Sequence, residues 1–315
     1  MKRVMVLGSS FVDLMTRAPH LPEHGETVMG TYFKMGPGGK GFNQAVAARR
    51  AGAAICTAIK LGRDEFASVP LRYMEQYDMN RDYVRYSDEL PTGNALIMVD
   101  EVTSQNMIAV YAGASASFGE EDFEALKPAI DSCDCLLLQL EINMDFMEKV
   151  VPYAVSKGIK VILNPAPAAE IPEVLLSSLY AVIPNEVEAK LITGIPVVWK
   201  EQTDEELMEA CGKAADWFFA KGVSNVIITL GKKGLYVNNG SEARRFTNYD
   251  EIKPVDTTGA GDAFCGGFLA ALGEEKDIFD AAAFGNVVSN LSVTRIGAAP
   301  SMPSREEIDA FLKNR

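Results

Sequence analysis

From residue 120 to residue 293 short apolar runs alternate with amphipathic stretches, and this rhythm limits the fold more than any other feature of the chain. Apolar runs at 135–140, 160–163, 180–183 and 226–230 read as buried strands. Between and after them, the spacing predicts helices at 120–130, 145–156, 186–193, 204–220, 263–272 and 277–293. A further run, Val4 to Leu7, ends at Gly8-Ser9-Ser10 and reads as the first core strand. Buried strands separated by helices build a mainly parallel sheet covered on both faces. The expected fold class is therefore α/β, doubly wound. The 315 residues fit one such domain spanning 1–315. Ser304 and Glu307, just after Pro303, have capping-box spacing and mark the start of a last helix.

Two segments break the rhythm, about 13–35 and 92–113. Within them 27–34, 94–100 and 106–111 alternate apolar and polar residues, so they read as antiparallel strands with one polar face. Together they predict a small sheet projecting from the domain. Such a flap can cover a ligand and exclude water, or serve only as a contact between subunits.

Charge and cysteine content exclude several classes. The formal net charge of −13 repels nucleic-acid phosphates, so no nucleic-acid partner is expected. It does not exclude a nucleotide, because backbone dipoles bind phosphate locally. Five cysteines at irregular spacing and only two histidines argue against a disulfide framework or a zinc site. Reduced thiols point to the cytoplasm. No membrane span is expected, because no apolar run approaches about 20 residues.

Four short segments carry candidate chemistry. In Thr257-Thr258-Gly259-Ala260-Gly261-Asp262 two glycines precede an apolar helical pattern. Backbone N–H groups of such a turn, with the helix's free N-terminus, make a hole for an anion such as a transferring phosphoryl group. Asp262 is then placed to orient a hydroxyl and take its proton; alone, the segment fits a capped helix equally well. Gly36, Gly38 and Gly41 form G-x-G-x-x-G, a weak dinucleotide signal that leaves a nicotinamide-dependent oxidoreductase as a competing class. It follows a flap strand rather than the first core strand, which counts against that class. Asn185 and Glu188 share one side of a helix start and suit magnesium held through water, or simply an acidic first turn. Thr229 to Gly234 ends a strand, where ligands bind in open α/β sheets, although it also fits a hairpin turn. Glu141 ends another strand and is a candidate for hydroxyl binding.

With these segments the chain resembles the ribokinase, or phosphofructokinase-B, family of carbohydrate kinases over essentially its whole length. The resemblance rests on Gly38-Gly39-Lys40-Gly41-Phe42-Asn43-Gln44-Ala45 and on Asp256 to Asp262, with supporting stretches at Gln139–Glu141, Asn164–Pro167, Pro184–Glu186 and Ile228–Gly231. It implies an ATP-dependent sugar kinase with a β-sheet lid that clasps a second subunit in a homodimer. Asp262 would be the base, with Gly259, Ala260 and Gly261 forming the anion hole. Asp13, Gly39, Lys40, Asn43 and Glu141 would hold the sugar. Asn185, Thr229, Gly231, Gly234, Gly261 and Asn286 would contact ATP, and Glu188 would organise Mg2+. Asp256, Thr258, Ser292, Arg295, Gly297 and Ser301 match the family's site for an activating monovalent cation, usually K+. A non-catalytic sugar sensor on the same fold is the other alternative, and the retained Asp262 argues against it.

One position departs from the family pattern. Typical bacterial ribokinases carry asparagine two residues before the sugar-binding aspartate, and here that residue is Phe11. Phenylalanine cannot pair a sugar hydroxyl, and burying one unpaired costs about 1–3 kcal/mol. Phe11 is thus a candidate specificity residue. D-ribose is the expected acceptor, with 2-deoxyribose, another sugar or a nucleoside as alternatives. Phe42, where alanine is usual, is expected to add apolar bulk nearby.

Overall fold

The protein is described by a computed structural model, which covers residues 2–103 and 105–314. In chain order the first half contains β1 (Arg3–Leu7), β2 (Phe11–Ala18), β3 (Tyr32–Gly38), α1 (Lys40–Arg50) and β4 (Ala54–Gly62). There follow α2 (Ser68–Gln76), β5 (Val84–Ser87), β6 (Gly93–Asp100), β7 (Asn106–Tyr111) and α3 (Glu120–Asp131). Next come β8 (Cys135–Gln139), α4 (Met144–Ser156), β9 (Lys160–Asn164), α5 (Glu173–Leu176), β10 (Ala181–Val182) and α6 (Glu186–Thr193). The remainder is α7 (Asp204–Ala220), β11 (Val226–Thr229), β12 (Leu235–Asn238), β13 (Ala243–Phe246), α8 (Ala260–Gly273), α9 (Ile278–Ser292) and α10 (Arg305–Lys313).

Nine strands form one sheet in the order β13-β12-β11-β10-β9-β8-β1-β4-β5. All neighbours pair parallel except the edge hairpin β11-β12-β13. Strand alternation divides the core between the two faces. Val4 and Val6 of β1 pack with α1, α8 and α9, whereas Met5 and Leu7 pack with α3, α4 and α7. The chain runs from β1 outward to β4 and β5, then returns to β8 on the other side of β1. The crevice at the carboxyl ends of β1 and β8 is therefore the switch point where open α/β sheets bind ligands.

The expected α/β class and projecting sheet are both present. The second sheet has the order β3-β2-β6-β7. Its central pair, β2 and β6, is parallel rather than antiparallel, with Asp13 opposite Ala95. The reason is topological: 54–92 returns through the main sheet between them. The strand expected at 27–34 lies at Tyr32–Gly38 instead. Residues 23–26 close a local turn through Glu26 N–H to the Glu23 carbonyl at 3.0 Å, and pairing with β2 continues to Gly38 opposite Phe11. The hydrophobic pattern does not reveal β4, α2, β5, α5, β12 or β13. Ser304 caps α10, with Glu307 returning the hydrogen bond, as expected. Phe42 is fully buried in the core beneath α1 and adds no bulk to a ligand site, contrary to expectation.

Candidate active site

Helix α8 starts one turn earlier than the apolar pattern suggested. Gly259 is its N-cap at φ 75, a left-handed conformation that favours glycine, and no side chain caps the helix. Asp262 therefore lies inside the first turn and is not the cap. A Cβ at Gly259 would lie 2.8 Å from the Ala298 methyl, so the turn is pressed against the 293–301 loop. Gly261 faces open space. Of the proposed anion-hole donors, the Ala260 N–H is already committed to the Thr257 carbonyl at 3.1 Å. This leaves the following N–H groups of the turn as the donors facing the cavity.

Asp262 is 8% exposed and sits under the start of α1. Asn43 Nδ2 donates to its Oδ2 at 3.1 Å, and Gln44 Nε2 donates to its Oδ1 at 2.9 Å. Burial pushes the Asp262 carboxyl above the usual carboxylate range, while Lys40, Gln44 and Asn43 oppose the shift. A raised pKa makes a carboxylate a better proton acceptor near neutral pH. Asn43 Oδ1 is buried without a hydrogen-bond partner, which leaves an acceptor free for a ligand hydroxyl.

Helix α1 begins at Gly39, whose φ is 85 and whose Cβ would lie 2.9 Å from the Phe11 nitrogen. This close crossing lets the Lys40 N–H reach Glu141 Oε2 at 2.8 Å, while Ser9 Oγ donates to the same oxygen. Burial raises the Glu141 pKa above its usual value. Asp13 on β2 is pushed to about 6 by burial and by the charges of Glu141 and Asp262. A Cβ on Gly38 would overlap the Asp13 carboxylate, so glycine there makes room for the charge. Burial lowers the pKa of Lys40, but Asp262, Glu141 and Glu188 outweigh it and keep the ammonium charged.

Two cavities meet at Thr257, which lines both. The larger, about 590 Å³, lies between the inner face of the small sheet and the 254–258 and 296–300 loops. Asp13, Met15, Arg17, Lys34, Ile97 and Ile108 contribute from the sheet. The smaller, about 180 Å³, gathers Lys40, Asn185, Glu188, Thr229 and the 259–262 turn. Asn164 and Cys265, neither of them singled out as a site residue by the sequence, also line it.

Asn185 caps α6 by accepting the Val187 and Glu188 N–H groups, and Glu188 Oε2 accepts the Asn185 N–H at 2.8 Å. This box turns the 9%-exposed Glu188 carboxylate along the cavity wall. Burial raises its pKa. Gly231 and Gly234 form the turn of the β11-β12 hairpin beside the cavity rather than its lining. Asn286 is not brought to the cavity either: its amide donates to the Thr247 carbonyl at 2.9 Å and accepts from Asn290. Phe11 is 3% exposed, its ring packs on Gly93, and it lines neither cavity.

Asp256 joins the loops expected to hold a monovalent cation. Its Oδ1 accepts the Thr258 N–H at 2.9 Å and the Thr258 hydroxyl, and its Oδ2 accepts the Gly297 N–H at 2.8 Å. Burial opposes ionisation, but these donors hold its pKa below the usual range. Ser292 and Ser301 are buried and donate to nearby carbonyls, so their oxygens keep lone pairs to offer. The Arg295 guanidinium faces Glu307, which leaves only its carbonyl for a cation. Among the described residues no group of three acidic, histidine or cysteine side chains could hold a metal by itself.

Comparison with known proteins accounts for this arrangement. Residues 1–305 match the pfkB family carbohydrate kinase domain. The chain is 36% identical to the ribokinase of Haemophilus influenzae over 313 residues, 99% of both proteins. It is 33% identical to the deoxyribokinase of Salmonella typhi over 98% of both. The ribokinase structure from Thermotoga maritima superposes with a TM-score of 0.87 at 35% identity over 100% of each chain. The Arabidopsis thaliana ribokinase complexed with ribose and ATP gives 0.87 at 29% identity over 99% of each. With a matching family domain over nearly its whole length and a ribokinase 36% identical across it, the chain belongs to the pfkB family of carbohydrate kinases.

Proposed function

We propose that the chain transfers the γ-phosphoryl group of ATP to the 5-hydroxyl of D-ribose, giving D-ribose 5-phosphate and ADP. The observation that carries this reading is the buried Asp262 carboxylate on the open N-terminus of α8, in the wall of a phosphate-sized cavity that meets the larger one at Thr257. The sugar would lie under the small sheet against Asp13, Gly39, Asn43 and Glu141, with its 5-hydroxyl at Asp262. As the bond from O5 to the γ-phosphorus forms and the bond to ADP breaks, the hydroxyl proton passes to Asp262. Such transition states are loose, so positioning and charge stabilisation dominate. The free N–H groups of the α8 turn and the Lys40 ammonium stabilise the equatorial oxygens. Thr229, Asn185 and the Gly231–Gly234 turn would receive the nucleotide.

Glu188 fits Mg2+ held through water, as its carboxylate is buried, raised in pKa and turned along the cavity wall. When bound with ATP, Mg2+ would neutralise phosphate charge. Carbonyls of Asp256, Thr258, Ser292, Arg295 and Gly297, with Ser301, would hold K+ beneath the α8 turn. The outer face of the lid exposes Phe33, Met35, Leu96, Met107 and Tyr111, which suits a homodimer formed through the lid. No described helix is long and apolar enough to cross a membrane. All five cysteines are free, which fits the reducing cytoplasm.

The second acceptor reading, 2-deoxyribose, rests on the likeness to a deoxyribokinase, 33% identical over 98% of both chains. Phe11, two residues from Asp13 on β2, lines neither cavity and so does not carry it. ADP release measured across pentoses, hexoses and nucleosides, with and without K+, tests both readings. A ribose kcat/KM at least about a hundredfold above that for 2-deoxyribose removes the second, and the reverse removes the first. Asp262→Asn should lose at least about a hundredfold in kcat while ATP binding persists.

A further inference from the structure

Behind Asp262 lies a line of buried amides. Asn164 Nδ2 donates to the main-chain carbonyl of Ile183 at 2.8 Å. This fixes its Oδ1 toward Gln44, whose Nε2 donates to it at 3.0 Å and to Asp262 Oδ1 at 2.9 Å. Gln44 Oε1 in turn accepts from Gln139 Nε2 at 2.6 Å. Gln44 and Gln139 are fully buried and Asn164 is 8% exposed. Gly8 makes room for the last link, since a Cβ there would overlap Gln139 Oε1. The polarity of every link follows from the Ile183 carbonyl. Flipping Gln44 would set oxygen against oxygen at both Asn164 and Asp262, and nitrogen against nitrogen at Gln139.

We propose that Gln44 is a positioning residue for phosphoryl transfer: its amide, locked by Gln139 and Asn164, holds Asp262 Oδ1 while Asn43 holds Oδ2, keeping the carboxylate ionised and aimed at the acceptor hydroxyl. The inference rests on Asp262 being the base. An amide N–H favours the charged form of the carboxylate it meets, so the clamp opposes the burial that favours protonation. An apolar side chain of similar length would leave Asn164 Oδ1, Asp262 Oδ1 and Gln139 Nε2 without this partner, so stability falls under a structural role too and only the titration of Asp262 separates the two roles. Ile183 lies two residues before Asn185, so the same line also fixes the base relative to the wall that carries Glu188. The ionisable groups facing Asp262 are Lys40 on α1, Glu188 on α6, Glu141 after β8, Asp13 on β2 and Cys265 on α8. Substituting Gln44 leaves all of them in place, so a change in titration reports the amide.

The test is the pH dependence of the single-turnover rate of phosphoryl transfer at saturating ATP and sugar, for the native enzyme, Gln44→Met, Gln44→Glu and Asp262→Asn. Gln44→Met should lower the plateau rate about ten- to hundredfold and move the acid limb up by about one unit. The sugar KM and ATP Kd should stay within about threefold. Gln44→Glu, which sets an acceptor against Oδ1, should move the limb further in the same direction. An unmoved limb in both variants overturns the proposal, as does a rate loss that merely follows the folded fraction. Should Gln44→Met not fold, Gln139→Met keeps the donors but releases the lock on Gln44, and it must move the limb the same way; no movement overturns the proposal. If Asp262→Asn keeps native turnover, the base assignment itself fails, whereas an inactive Asp262→Asn beside an unmoved Gln44 limb rejects Gln44 alone.

Discussion

Asp13, proposed to hold the sugar, also costs the fold stability. Its carboxyl is held at about 6 against an ordinary 3.8, chiefly by burial and then by Glu141 and Asp262. The folded protein therefore binds this proton more tightly than the unfolded chain does. Ionised Asp13 weakens the fold above about pH 6, and that cost disappears as pH falls toward 4. Asp13→Asn should raise stability at pH 7 by up to about 3 kcal/mol, the cost of ionising against the raised pKa, with the gain vanishing by about pH 4. Denaturant unfolding across that range checks it. The native enzyme should lose sugar kcat/KM below about pH 6 as the carboxylate protonates and stops accepting hydroxyl hydrogen bonds. Asp13 was legible as a candidate site residue only through the family resemblance. Its raised pKa was not, because Glu141 is 128 positions away in the chain and only folding brings its charge near.

At the scale of elements, two helix starts make the site. Helices α1 and α8 both begin at a glycine of positive φ and pack against each other, so their first turns face one another across Asp262. The α8 start also leans on the 293–301 loop through Gly259 and Ala298. Gly259→Ala adds a methyl that meets Ala298 and strains a left-handed position. It should cost about 1–3 kcal/mol of stability and lower kcat more than the sugar KM, since the turn faces the transferring group. Calorimetry and steady-state kinetics check the two parts. Both glycine turns were plain in the sequence. That they would meet was not, because Gly41 and Thr258 are 217 positions apart and periodicity carries no information on which helices pack together. The 229–234 turn is open to a hairpin reading, but the strands β12 and β13 that complete it do not show in the sequence, for a related reason. These strands are four residues each, too short for an alternating pattern to stand out from a turn.

At the scale of the whole molecule, the lid is a four-stranded sheet with function assigned by face. Alternation sends Asp13, Met15, Ile97 and Ile108 toward the cavity, and Leu14, Phe33, Leu96 and Met107 outward. An isolated sheet that exposes an apolar outer face is poorly stable in water, so a second subunit on that face would hold the lid in shape. Leu96→Lys combined with Met107→Lys should give a monomer by analytical ultracentrifugation. The melting temperature of the main domain should change little, and the sugar KM should rise about tenfold or more as the lid loses its support.

The α/β class, the projecting sheet, the two glycine turns and the place of Asp262 on the second turn are all readable from the amino-acid order alone. These are local properties: hydrophobic period, glycine placement and cap chemistry all act within a few residues. Tertiary structure alone decided that β2 and β6 run parallel and that Phe42 serves the core. It also decided that Phe11 and Asn286 stand back from the cavities, and that Gln44, Gln139 and Asn164 line up behind Asp262. The physical reason is the same in each case. Burial, charge coupling and hydrogen-bond polarity depend on neighbours that lie far apart in the chain, and those neighbours exist only once the sheet has closed around its switch point.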